Sequence, residues 1–248
     1  MSIPIAVQMY TLRDEMAKDF KGTLEKVAEI GYKGVEFAGY GNLSAAQMKA
    51  ELDRLGLAAA GSHVGLDLLK EKLEETLEYD LEIGNKYIIC PWAKGESKQD
   101  YLDLALFLNR TGEKCKAKGL ELGYHNHAHE FQMFDGEYAL DMIFKNTDPE
   151  FVKMELDTYW VQYAGIEPVG YLKKYAGRCP LVHQKDMESG EGRGFTEVGN
   201  GIMDIKALHK AAVEIGAQWF IVEQDKCNRP QLESVTISFN NLKQMGLV

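Results

Sequence analysis

Short apolar runs alternate with amphipathic segments along the whole chain. Runs rich in Val, Ile, Leu and Phe, typical of buried strands, predict β-structure at 3–9, 34–38, 57–63, 86–90, from 120 onward, and at 152–157, 180–185 and 218–223. Between these runs, apolar residues recur at helical spacing. They predict helices over about 19–30, 44–55, 67–83, 98–118, 138–145, 168–176, 204–215 and 232–245.

Glycines separate these helices from the strands that follow them. Each sits where a left-handed helix C-cap favours glycine, at Gly31, Gly56, Gly84, Gly119, Gly177 and Gly216. Strand–helix alternation repeated eight times predicts an α/β protein that folds as a single (β/α)8 TIM barrel. A doubly wound open sheet competes, but it usually has fewer strands at this length, and no GxGxxG follows the first strand. No linker divides the chain, so we expect one domain over residues 1–248.

Composition narrows the classes of function. The 248 residues are 45% hydrophobic and 27% charged, and the formal net charge is −10, which disfavours nucleic acid as a partner. No apolar run approaches the roughly 20 residues that span a bilayer, and the N-terminus shows no secretion signal. The four cysteines are scattered, as expected of reduced thiols in a cytoplasmic protein. The sequence leaves open whether the chain forms a homo-oligomer.

A histidine cluster, LELGYHNHAHEF at 120–131, follows the fifth apolar run. It contains three of the six histidines, His125, His127 and His129, beside Asn126. Histidine is the commonest metal ligand and titrates near neutral pH. Strand parity places His125 and His127 on one face and Asn126 on the other. A polar surface loop is the alternative interpretation.

Polar residues also end the other predicted strands, where barrel enzymes build their active sites. Strand parity puts Glu155 and Asp157 opposite the apolar Met154 and Leu156, and Glu223 opposite Val222. Buried carboxylates cost several kcal/mol unless paired or bound to a metal. A convergent set of His, Asp, His and Glu therefore indicates a divalent cation.

Each of these residues also has a structural interpretation. Asp157 alone could cap a helix, and His183 alone could be a buried barrel histidine. Glu223 and Asp225 could pair with Lys185 in a salt bridge without any metal. The position that these residues share, at strand ends, is what favours a site.

Four segments extend the pattern into a family resemblance. ELDTYW at 155–160, VHQKD at 182–186, EVGNGIMD at 197–204 and IVEQD at 221–225 resemble motifs of the xylose isomerase-like barrel family. That family contains sugar and sugar-phosphate isomerases and epimerases, keto-inositol isomerases and dehydratases, and endonuclease IV-like nucleases. The resemblance covers nearly the whole chain. It is specific for fold and metal site, but not for substrate.

The resemblance implies a ligand set for the metal. Asp157, His183 and Glu223 match the family's ligands after strands six, seven and eight. At strand five the epimerases carry glutamate, whereas this chain has His125, similar to the histidine run of inosose dehydratases. Mixed nitrogen and oxygen ligands favour Mn²⁺, Co²⁺ or Zn²⁺ over Ca²⁺. The imidazole of His125 can replace the carboxylate as a metal ligand. The chain then lacks one of the two glutamates that form the acid–base pair of the epimerases.

From these features we expect a metal-dependent enzyme that isomerises or epimerises a sugar, sugar phosphate or keto-polyol through an enediolate. The alternative is a lyase or dehydratase acting on a keto-sugar or keto-inositol, similar to inosose dehydratase. A nuclease is disfavoured by the charge and by Cys90, Pro91 and Trp92 at strand four. A binding barrel without activity would not need several ionisable groups to converge.

Roles follow for individual residues. Glu223 is the expected general base, with Lys185 or His127 as the acid. The residues expected to contact substrate are Gln8, Glu36, His63, Trp92, Asn126 and Trp160. The glycine-rich segment 191–201 is interpreted as a lid or a structural turn, in preference to a phosphate-binding loop around Arg193.

Overall fold

Eight parallel strands close into a barrel in the computed structural model of the protein, which describes residues 3–248. We number them β1 Ile5–Gln8, β2 Gly34–Phe37, β3 Ala58–His63, β4 Tyr87–Cys90, β5 Glu121–His125, β6 Val152–Asp157, β7 Leu181–Gln184 and β8 Trp219–Val222. Each strand pairs with its neighbours in the chain, and β8 pairs with β1. The predicted barrel and all eight strands are confirmed. The first two residues of the predicted domain lie outside the described range.

Helices surround the barrel close to the predicted positions. They are α1 Arg13–Lys18, α2 Phe20–Ile30, α3 Ala45–Leu55, α4 Leu66–Glu71, α5 Leu73–Glu82, α6 Lys98–Ala117, α7 Ala139–Lys145, α8 Thr158–Tyr163, α9 Pro168–Lys174, α10 Ile205–Glu214 and α11 Gln231–Gln244. The single helix predicted over 67–83 is wrong, because Lys72 leaves the helical conformation between α4 and α5. The prediction omitted α1 and α8, which are too short to show a clear apolar period.

Local signals fix where the helices begin and end. Ser44 and Gln47 form the predicted capping box at the start of α3. The left-handed glycine at its end is Gly56, with φ 66°. All six glycines predicted to follow helices have positive φ. These caps set the points at which the chain turns back into the barrel.

The two faces of each strand meet different surroundings. Outward residues such as Leu156, Phe220 and Val222 pack in the large core between barrel and helices. Inside the barrel, the half nearer the amino ends of the strands is filled by a small apolar cluster. Its members are Ala6, Ala60, Tyr87, Ile89, Leu181 and Ile221. The predicted parity of β6 and β8 is confirmed, because the inward positions continue upward into Glu155 and Glu223.

Loops at the carboxyl ends of the strands complete the site's surroundings. Two short hairpins, unrecognised in the sequence, pair Met133–Phe134 with Glu137–Tyr138 and Asp186–Met187 with Phe195–Thr196. Over residues 3–248, no helix combines the length and apolar character needed to cross a membrane.

Candidate active site and metal centre

A cavity of about 440 Å³ opens at the carboxyl ends of the strands. It is lined by Tyr10, Ala38, His63, Pro91, Trp92, His125, His127, Lys185, Glu223 and Asp225. Most of these residues follow directly from a barrel strand, as the barrel fold requires of an active site. The cavity therefore joins residues that lie far apart in the sequence.

The four predicted metal ligands converge at this end of the barrel. His125, Asp157, His183 and Glu223, here called the upper group, each offer a donor atom within 4.8 Å of the others. His125 Nε2 lies 3.3 Å from Asp157 Oδ2, and His183 Nδ1 lies 2.9 Å from Glu223 Oε2. All four side chains are buried. The predicted set is brought together, although its role as a ligand set stays a prediction.

Asp157 performs two tasks at once. Its Oδ1 accepts a hydrogen bond from the backbone N–H of Trp160 and so caps α8. Its Oδ2 faces His125 and Lys185. Asn126 holds the backbone in place, because its Oδ1 accepts from the N–H of Asp157 at 2.9 Å. The capping interpretation and the ligand interpretation are therefore compatible.

Lys185 supplies positive charge between the carboxylates. Its Nζ lies 2.9 Å from Asp157 Oδ2, 3.0 Å from Glu223 Oε2 and 2.8 Å from Asp225 Oδ1. Burial alone would lower the pKa of Lys185, but these carboxylates raise it well above its usual value. Burial alone would likewise raise the pKa of Glu223, but Lys185 and His183 hold it well below its usual value. The salt bridge considered from the sequence is present.

A second cluster lies beneath the upper group. Glu36, His63, Glu155 and His183, here called the deeper group, also offer donor atoms within 4.8 Å of one another. His183 Nε2 lies 2.6 Å from Glu36 Oε2, while His63 Nε2 lies 2.7 Å from Glu155 Oε2. His183 belongs to both groups through opposite ring nitrogens.

Burial shapes the charges of the deeper group. It raises the pKa of Glu36 to about 7, assisted by the nearby charge of Glu155. Burial alone would lower the pKa of His183, but Glu155 and Glu36 raise it well above its usual value. Glu36 Oε1 and Glu155 Oε1 are buried and accept no hydrogen bond from the described residues. Glu36 Oε1 lies against the backbone of Gly61, where an added Cβ would come within 2.5 Å of it.

The three predicted catalytic residues all reach the cavity. Burial lowers the pKa of His127 to about 4, and Lys185 adds to the effect. Glu223 is the most enclosed of the carboxylates there, whereas the side chain of Asp225 is 25% exposed. Burial raises the pKa of Asp225 to about 6 against the opposing effect of Lys185.

The predicted substrate-binding residues divide into two sets. His63 and Trp92 line the cavity, and the side chain of Trp92 is half exposed at its mouth. Gln8, Glu36 and Asn126 are completely buried and do not line it. Their positions suit support of the site rather than contact with substrate: Gln8 Nε2, for example, donates to Glu36 Oε2 at 2.7 Å.

Trp160 also stands behind the cavity rather than in its lining. The Nζ atom of Lys185 lies 5.4 Å from the centre of its ring, a distance compatible with a cation–π contact. The His127 ring is 5.5 Å away. Trp160 therefore packs against two predicted catalytic residues.

Sequence reasoning assigned no site role to Tyr10, Glu155 or Asp225. Parity had marked Glu155 as an inward residue, but not its contact with histidines from other strands. Asp225 was considered only as a salt-bridge partner. Its placement two residues after Glu223, on the same inward face, was the available signal.

The glycine-rich segment is anchored from below by Asp186. Its carboxylate accepts hydrogen bonds from the backbone N–H groups of Gly199, Gly201 and Met203. Arg193 donates to the carbonyl of Tyr163 and does not line the cavity. The arrangement is that of a structural turn, and a phosphate cradle around Arg193 is not formed.

The donors of the upper group fit a divalent metal ion. Two imidazole nitrogens and two carboxylates are a ligand set that Mn²⁺, Co²⁺ and Zn²⁺ accept. Lys185 already bridges two of the same carboxylates, so the position favours a cation. The residues present are thus suited to hold a divalent ion, whose identity the donors alone do not fix.

Comparisons with known proteins agree with this geometry. The chain is 27% identical over 245 residues to the inosose dehydratase of Geobacillus kaustophilus (strain HTA426), covering 82% of this chain and 79% of the relative. A solved sugar phosphate isomerase/epimerase from Parabacteroides distasonis is 27% identical with a TM-score of 0.84, covering 100% of this chain and 96% of that one.

A zinc-containing structure of the IOLI protein superposes with a TM-score of 0.76, covering 99% of this chain and 97% of that one. At 13% identity this likeness shows the fold alone. The family model for the xylose isomerase-like TIM barrel matches residues 24–243. With its closed barrel and its ionisable residues gathered at the strand ends, the chain belongs to the xylose isomerase-like TIM barrel family.

Proposed function

We propose that the protein is a metal-dependent lyase that removes water from a keto-polyol or keto-sugar. A proton leaves the carbon next to the carbonyl, a hydroxyl leaves the following carbon, and the products are an unsaturated ketone and water. The names of the dehydratase relatives point in the same direction.

The observation that carries the proposal is the placement of the cavity's carboxylates. Among the described residues that line the cavity, the carboxylates are Glu223 and Asp225, and both follow β8. Epimerisation at one carbon needs acid–base groups on opposite faces of the substrate. Where epimerases carry a second carboxylate, this site has His125. Carboxylates on one wall suit elimination, in which one group can serve both proton transfers.

We place the proton transfer at Asp225 rather than at Glu223. Glu223 is enclosed among the predicted ligands, whereas the side chain of Asp225 is a quarter exposed and lines the cavity. Asp225 takes the proton from carbon and gives it to the departing hydroxyl. Lys185, 2.8 Å from Asp225, places its positive charge near the oxygen that gains negative charge.

The remaining residues bind and orient. His125, Asp157, His183 and Glu223 would hold the metal ion, which supplies Lewis-acid polarisation of the carbonyl when bound. His127 and His63 line the cavity on the β5 and β3 walls, where their rings would contact the substrate. Trp92 offers an aromatic face at the mouth.

Incubation of Mn²⁺-loaded protein with a panel of keto-inositols and keto-sugars tests the proposal. We expect a product lighter by one water. Asp225→Asn should lower kcat by roughly 10²- to 10⁴-fold, the range for loss of general acid–base catalysis. The metal content of Asp225→Asn should stay unchanged, whereas Glu223→Gln should lose the ion held by His125, Asp157, His183 and Glu223.

The surface variant Asp53→Asn, which alters an exposed carboxylate paired with Lys49, is the control and should keep full activity. An Asp225→Asn enzyme with wild-type kcat would refute the assignment of the base.

Isomerisation is the second candidate, favoured by the 27% identity to a sugar phosphate isomerase/epimerase. One base and a polarised carbonyl suffice for it as well. The same panel in deuterium oxide separates the two reactions. Isomerisation leaves a product with the composition of the substrate and deuterium on carbon, whereas elimination releases water.

A further inference from the structure

We infer that the deeper group is a second cation site, in which Glu36, His63 and Glu155 hold a divalent transition-metal ion. This site is distinct from the upper group, although His183 touches both. The inference concerns metal binding alone and does not depend on the reaction proposed above.

The spacing of the donor atoms matches a coordination sphere. His63 Nε2 lies 2.7 Å from Glu155 Oε2 and 3.3 Å from Glu36 Oε2, and the donor atoms of the deeper group all lie within 4.8 Å of one another. A metal with ligands at about 2.0–2.1 Å separates adjacent donors by roughly 2.9–3.4 Å. Both contacts of His63 are therefore within a few tenths of an ångström of the spacing between adjacent ligands.

Among the described residues, histidines are the ion-pair partners that compensate the carboxylates of the deeper group. Glu36 and Glu155 are both 0% exposed, and each keeps one oxygen without a hydrogen bond. Over residues 3–248, their ion-pair partners are His63 and His183, while the buried Lys185 pairs with other carboxylates. Neither carboxylate pairs with a described Lys or Arg, so a bound cation would stabilise these two buried groups further.

Metal binding in the upper group would reduce the positive charge available to the carboxylates of the deeper group. A neutral imidazole has one lone pair, so His183 can ligate through only one nitrogen. If Nδ1 serves the upper group, Nε2 carries a proton and donates it to Glu36 Oε2, 2.6 Å away. His183 then brings no positive charge to the deeper carboxylates. His63 Nε2, Glu155 Oε2 and the remaining lone pair of Glu36 Oε2 are then the three donors for a second ion.

An entry path and a suitable ligand chemistry are both present. His63 lines the cavity, and its side chain is 10% exposed, so an ion can reach the deeper group from the cavity floor. One imidazole with two carboxylates favours Mn²⁺, Co²⁺ or Zn²⁺. We take Mn²⁺ as the probe, because its paramagnetism reports on neighbouring ions.

The test counts bound Mn²⁺. Chelator-stripped protein is equilibrated with Mn²⁺, and metal per chain is measured by mass spectrometry. We expect two ions in the wild type and one in Glu155→Gln and in His63→Asn. Paramagnetic resonance should show coupled ions in the wild type and an isolated ion in both variants.

Asp80→Asn is the matched control, because Asp80 is equally buried but its oxygens accept from Tyr40, Ser62 and Asn85. It should keep both ions. One Mn²⁺ per wild-type chain at saturation, or two retained in Glu155→Gln, would overturn the inference. If Glu155→Gln does not fold, His63→Asn decides the same question.

Discussion

The two halves of the barrel interior are built on the same inward strand faces but from opposite chemistry. Leu181 and Ile221 belong to the apolar cluster of the lower half. Two residues later on the same faces stand His183 and Glu223, about 7 Å higher by strand geometry. The lower half resembles an ordinary core, while the upper half gathers charge that a core would exclude.

The two halves contribute different properties to the protein. The apolar floor closes the barrel from below and supports the strands rigidly. It also keeps the dielectric low beneath the ionisable residues, so that their interactions there are stronger than in water. Variants in the two halves should therefore fail in different ways.

The largest effect is expected for Asp157→Ala in the upper half. Loss of a ligand should remove the ion of the upper group and lower kcat on the order of 10⁴-fold, equivalent to about 5.4 kcal/mol. Asp204→Ala is the control for the lost helix cap, since Asp204 caps α10 through Ala207 N–H. It should cost about 1 kcal/mol of stability and keep the metal. Full metal content in Asp157→Ala would contradict the ligand assignment.

Lys185→Met should destabilise the metal-free protein by about 3–5 kcal/mol, because it leaves Asp157, Glu223 and Asp225 without their cation. A divalent ion in the upper group would replace that charge. Added Mn²⁺ should therefore raise the melting temperature of the variant more than that of the wild type. Equal shifts in scanning calorimetry would mean that Lys185 and the metal do not share the same carboxylates.

In the lower half, Ile221→Ala should reduce the free energy of unfolding by about 2–4 kcal/mol through the cavity it leaves. Ile221 is fully buried in the apolar cluster. Metal stoichiometry should remain that of the wild type. Denaturant unfolding and metal analysis of the same sample check both statements, with Ile221→Val as a milder step. If Ile221→Ala lost metal in proportion to its loss of stability, the two halves would not have the separate roles described here.

The smallest effect is expected outside the barrel, at His209 on α10. Its ring packs 5.2 Å from that of Phe220, and burial lowers its pKa. Below pH 6.5 the unfolded chain therefore binds a proton that the folded chain resists, so stability falls as pH decreases. This contribution is at most about 1.4 kcal/mol per pH unit. In urea titrations, His209→Leu should lose less free energy of unfolding between pH 7 and 5.5 than the wild type. An equal loss in both proteins would contradict this prediction.

Sequence patterns predicted the barrel well because local rules decide its elements. Apolar runs such as Tyr87–Cys90 and the capping box at Ser44 are visible without any tertiary information. The break at Lys72 was not predictable in this way. The surrounding apolar pattern continues across it, with Leu69, Leu73 and Leu77 all buried.

The candidate site was predictable only in part. Asp157, His183 and Glu223 stood at strand ends and matched family motifs, and His125 stood where the epimerases carry glutamate. The deeper group was missed, because Glu155 of β6 meets His63 of β3 across the barrel. Such a contact depends on relative strand heights, which sequence parity does not provide. The parity of a strand gives the face of a residue but not its partners.

The anchoring of the glycine-rich segment by Asp186 bears on how such a barrel can be redesigned. The buried carboxylate accepts hydrogen bonds from the backbone N–H groups of Gly199, Gly201 and Met203. Residues 188–193 are exposed. Length and composition in that exposed stretch can change while the anchor keeps both ends in register. Loop grafts should therefore be directed there, since this stretch can be exchanged without rebuilding the barrel strands.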